Sequence, residues 1–130
     1  MRSRELSGFV VACGVALIIG ACGGNNASPT PTPGPTNTMT ITIANNAVSP
    51  KNISVPRGSQ VTFINNDNRT HDMESDPHPE HTDCPAINQV GTLNPGQSRQ
   101  SGNLNIARVC GFHDHDQAGV IALQGSITVQ

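Results

Sequence analysis

The segment TMTITIA, residues 38 to 44, alternates strictly between threonine and larger or apolar side chains. Alternate residues of an extended chain point to opposite sides, so Met39, Ile41 and Ile43 share one face of a half-buried strand. The same period returns in QVTFI (60–64), with Val61 and Phe63 on one side, and in SITV (126–129), with Ile127 and Val129. NISV (52–55) is a short strand bounded by Pro50 and Pro56. Strand character is also read within INQVGTL (87–93) and LNIARV (104–109), and again from Val120. Asn45-Asn46, Arg57-Gly58-Ser59, Asn65 to Asn68 and Asn94-Pro95-Gly96-Gln97 punctuate these runs with turn formers. No window carries a sustained helical period. Short strands spaced by turns predict an all-β sandwich or barrel over residues 38–130.

The chemistry is concentrated. All five histidines lie in two windows, HDMESDPHPEHTDCP (71–85) and CGFHDHD (110–116), which also hold Cys84 and Cys110. The first window has no periodicity and reads as a long loop. Imidazole and thiolate together are donors for a transition metal. His78, His81 and Cys84 follow one another at spacings of three, which suits a second metal site or a share in the first; a solvated acidic loop is the alternative. Asp72, Glu74, Asp76, Glu80, Asp114 and Asp116 stand near the histidines, and can orient imidazoles through Nδ1–H bonds or form a negative rim. A Cys84–Cys110 disulfide would compete with thiolate ligation; closing a loop of that length contributes about 3.5 kcal/mol. No nucleophile–base order, phosphate loop or paired-carboxylate spacing stands out, so no catalytic residues are assigned.

The chain begins MRSRE, followed by an apolar run from Phe9 to Ala21 that is too short to span a bilayer as a helix. It ends Ile19-Gly20-Ala21-Cys22. This resembles a bacterial lipoprotein signal, which implies cleavage after residue 21, lipid on Cys22, and a protein tethered in the cell envelope, periplasmic or on the outer surface. Residues 22–37 are rich in Pro, Thr and Gly and predict an extended tether. Beyond residue 21, five basic side chains face eight acidic ones, and Phe63 and Phe112 are the sole aromatics. That balance excludes a nucleic-acid surface. One small domain, expected to be monomeric, remains.

The order of segments from 38 to 130 resembles the cupredoxins, the plastocyanin- and azurin-like blue copper proteins. TITIANNAVSPKNISVPRGSQVTFINND is similar to their opening strands, LNPGQS to their L-x-P-G-x-S turn, VCGFH to their Cys-x-x-His segment, and LQGSITV to their closing strand. The resemblance implies a Greek-key β-sandwich with long ligand-bearing loops and one copper held by His71, Cys110 and His113. It implies an electron carrier with an unknown redox partner rather than an enzyme. Leu123 stands where the family has an axial methionine; it cannot coordinate, which implies a raised potential. The segment after His113 is longer than usual, and His115 within it is a reserve ligand. Copper capture through the extra histidines, and a metal-free domain stapled by the disulfide, are the alternatives.

Overall fold

The computed structural model describes residues 39–130. The expected signal (1–21), the tether (22–37) and the lipidated Cys22 lie outside the described residues. Nine strands form two sheets: β1 (Thr40–Ala44), β2 (Ala47–Ser49), β3 (Asn52–Val55), β4 (Thr62–Asn65), β5 (His71–Ser75), β6 (Gly91–Leu93), β7 (Ser98–Gln100), β8 (Arg108–Asp114) and β9 (Gly125–Val129). Single 3-10 turns occur at Ile87–Gln89, His115–Gln117 and Ile121–Leu123, and no α-helix occurs among the described residues. One sheet has the order β2-β1-β4-β7 and the other β3-β9-β8-β5-β6. Both are mixed, with β1 parallel to β4 and β3 parallel to β9. This is the expected all-β sandwich.

The alternating residues build the core. Ile41, Ile43 and Phe63 from the first sheet meet Met73, Leu93, Phe112 and Ile127 from the second, all fully buried. Phe63 and Phe112 join the two layers edge to face, with ring centroids 5.3 Å apart, a geometry favoured by the ring quadrupoles. Asn45 and Asn46, with φ of 52° and 58°, make the two-residue turn from β1 to β2. Positive φ at both central positions matches the twist of a tight hairpin, and asparagine tolerates it well.

Two corrections to the expected layout bear on function. The first five residues of the supposed loop at 71–85 are strand β5, with His71, Met73 and Ser75 buried on one face. Strand β8 starts later than read, at Arg108, and continues through the second histidine window to Asp114. The chemistry-bearing residues therefore sit on paired strands, where register decides which of them can meet. The short strands β2 and β7 have no counterpart in the sequence pattern; β7 is exposed along its length and shows no alternation.

Candidate metal centre

Strands β5 and β8 pair antiparallel, with Met73 opposite Asp114, Glu74 opposite His113 and Ser75 opposite Phe112. Directly opposed residues share a face of the sheet. His71, Met73 and Ser75 therefore face the same way as Cys110, Phe112 and Asp114, toward the core. Glu74 and His113 face the other way. Cys110 and His113, three apart in a continuous strand, point to opposite sides. The expected trio of His71, Cys110 and His113 is thus not brought together.

His71 is fully buried, and its Nδ1 lies 2.6 Å from Asp114 Oδ2, itself fully buried. Its Nε2 lies 3.4 Å from Asp67 Oδ2. Backbone N–H groups of Asn46 and Asn68, the largest influence, hold the Asp67 carboxyl below its ordinary 3.8, with His71 adding to the effect. Cys110 is joined to Cys84 in a disulfide, so neither offers a thiolate. Leu123 is buried in the core.

On the outward face of β8 a different set converges. His78, His81, His113 and His115 each offer a ring nitrogen, and the four atoms lie within 4.8 Å of one another. The ring centroids of His78 stand 5.8, 5.4 and 4.9 Å from those of His81, His113 and His115. His115 Nδ1 and His81 Nε2 are 3.1 Å apart. His113 is buried, His81 and His115 are half-buried, and His78 is exposed.

The segments that carry the rings are held by identifiable contacts. His78 and His81 lie on the loop after β5. That loop is closed by bonds from His81 N to Pro77 O (2.7 Å) and from Asp83 N to Asp76 O (2.9 Å). Asn88 ties it down, since its Oδ1 accepts from Ser75 N and its Nδ2 donates to His81 O, both at 2.9 Å. His81 takes a positive φ of 53°, sparsely populated for a non-glycine residue. His115 opens the 3-10 turn that Asp114 caps by accepting from Asp116 N. The same carboxylate accepts from Asp72 N at 3.2 Å, so the Asp114–His71 pair anchors the base of this turn. The Cys84–Cys110 bridge links the two histidine windows, three residues after His81 and three before His113.

The electrostatics suit a cation. Burial, the largest influence, and then the neighbouring rings of His113, His115 and His78 hold His81 below its ordinary 6.5. Glu74, whose Oε2 is 3.9 Å from His81 Nδ1, is raised above 4.5 by burial and then by Asp72. His113 Nδ1 lies 2.7 Å from Asp76 Oδ1. His113 Nε2 is, among the described residues, the one buried side-chain nitrogen or oxygen without a hydrogen-bond partner. A buried polar atom left unpaired costs about 1–3 kcal/mol, and a metal ion would supply its partner. The donor set therefore fits a metal that takes imidazoles, such as copper or zinc.

The clustering of histidines marks these windows in the sequence, and Asp76 is one of the acids expected to orient imidazoles. Asn88, which ties down the loop, carries no local sequence signal.

Neither a protein-family model nor a curated protein sequence matches the chain. Solved structures with the same fold do. A purple cupredoxin from Nitrosopumilus maritimus is 21% identical over 70% of this chain and 98% of its own, with a TM-score of 0.55. The plastocyanin of the fern Dryopteris crassirhizoma is 16% identical over 70% of this chain and 99% of its own, also at 0.55. Amicyanin from Paracoccus versutus is 11% identical over 75% of this chain and 86% of its own, at 0.58. The sandwich is the cupredoxin fold.

Proposed function

We propose that this domain binds one copper ion through His78, His81, His113 and His115, as an exported copper-capture protein held at the cell envelope by lipid on Cys22. The observation that carries the reading is the four-imidazole cluster around the unpartnered His113 Nε2. Divalent copper exceeds zinc in affinity at nitrogen sites in general, and proteins with this fold include Cu(I) amicyanin and a Cu-containing nitrite reductase from Thermus scotoductus. In this role the chain supplies neutral imidazoles, a buried anchor in His113, and an exposed entry ligand in His78. Bound copper supplies one-electron redox chemistry. Electron transfer is the second reading, favoured by the plastocyanin and amicyanin likeness; reversible cycling of the bound ion without its loss would support it.

The test is a Cu(II) titration of the protein as isolated, with its free thiols counted beforehand, beside a variant with all four histidines replaced by alanine. One copper per chain, with no intense thiolate-to-copper band and with binding lost in the variant, is expected. Unchanged binding in the variant overturns the assignment. An intense thiolate band in the wild type would return the site to Cys110 with His71 and His113.

A further inference from the structure

The contact between Asp76 and His113 is built by more than the two side chains. Asp76 follows β5 directly, and its N–H donates to Gly111 O at 3.0 Å, extending the β5–β8 pairing by one rung. This sets Asp76 over Gly111, two residues before His113 on the same face of β8. A Cβ on Gly111 would collide with the Asp76 carboxylate. Glycine is therefore the residue that lets the carboxylate cross the strand and reach His113 Nδ1 at 2.7 Å. Gly111 has no positive φ to require it; the need is for space.

Given the copper site proposed above, on which this step rests, we infer that Asp76 is the positioning residue of the centre and that Gly111 exists to admit it. The carboxylate accepts from Nδ1–H of His113, which fixes that tautomer and leaves Nε2 as the ligand atom. A carboxylate behind a ligating imidazole fixes ring orientation and raises its basicity, and losing one typically costs 10–100-fold in metal affinity. Asp76 is specific in this role. Glu74 stands 3.9 Å from His81, beyond hydrogen-bond reach. The Asp114 carboxylate is taken by His71 and the 3-10 turn. Because Asp76 is half-exposed, with 45% of its side-chain surface accessible, its truncation leaves the core intact.

The experiment compares Cu(II) affinity, by chelator competition, for the disulfide-intact wild type, Asp76→Ala, Asp76→Asn and Gly111→Ala. Metal-free melting temperatures and the ring-nitrogen NMR shifts of His113 in the Zn(II)-loaded proteins are recorded beside it. Asp76→Ala and Gly111→Ala are expected to weaken copper by roughly 10–100-fold. Metal-free Asp76→Ala should melt within a few degrees of the wild type. Asp76→Asn, whose carbonyl oxygen can still accept from Nδ1–H, should lose less and keep the Nδ1–H, Nε2-metal signature of His113. Wild-type affinity in Asp76→Ala, or equal losses in the Ala and Asn variants, overturns the role of Asp76. Failure of the wild type to bind Cu(II) at all overturns the four-histidine reading instead, and the two failures are thereby distinguished.

Discussion

Replacing both bridged cysteines by alanine tests how the two histidine windows are held together. The bridge spans a sequence separation of 26. In the chain-entropy account, cross-linking removes freedom from the unfolded ensemble in proportion to the logarithm of loop length, which for this loop is about 3.5 kcal/mol at 25 °C. Both sulfurs are buried, with Cys84 6% and Cys110 1% exposed, so lost packing adds to the entropic loss. For a domain of this size, each kcal/mol moves the melting temperature by about 4–8 °C, which places the expected drop near 15–25 °C. The assay is thermal unfolding of the metal-free wild type and of Cys84→Ala/Cys110→Ala, each with and without a thiol reductant. The wild type should fall toward the variant when reduced, and the variant should not respond. Copper stoichiometry should remain one in the variant, at lower affinity, since the bridge positions the windows but donates nothing. A drop under about 5 °C, or a wild type indifferent to reduction after its thiols are shown to be free, would refute the claim that the bridge constrains this fold.

His71→Gln should leave one copper per chain and cost about 1.5–3 kcal/mol in urea unfolding, because the buried Asp114 carboxylate loses its contact with the imidazole while keeping those to the backbone of Asp72 and Asp116; loss of copper from a folded variant would make His71 a ligand. Metal-free stability should also fall with acid through the window just below pH 6.5. His81 is held below 6.5 in the fold, so as pH drops the unfolded chain takes the proton first, and stability present above 6.5 declines until the folded value is passed. Melts from pH 7.5 to 5 check this, and the decline should shrink in His81→Gln.

The strands that could be read were those with one apolar face. β1 and β4 alternate visibly because Ile41, Ile43 and Phe63 pack on the opposite sheet. β5 has the same alternation in burial, yet its inward residues are His71, Met73 and Ser75. Asp114 satisfies the first, and Ser75 caps the backbone N–H of Cys84. A buried face that is polar and internally satisfied gives no hydropathy signal. The site was legible as chemistry and not as geometry. Both windows stood out by composition, but whether Cys110 and His113 could share an ion depended on whether residues 110–113 turn or stay extended. In a strand, that single parity sends them to opposite faces. Once Cys110 faced inward, its partner became Cys84, and the outward His113 met the histidines of the loop instead.

The most direct measurement is X-ray absorption at the copper edge of the protein loaded with copper as isolated, without prior oxidation of its cysteines. The four-histidine site should give a first shell of nitrogen or oxygen only, with outer-shell scattering from several imidazoles that diminishes in His78→Ala and His115→Ala. A sulfur scatterer in the first shell would contradict it and place Cys110 or Cys84 on the metal.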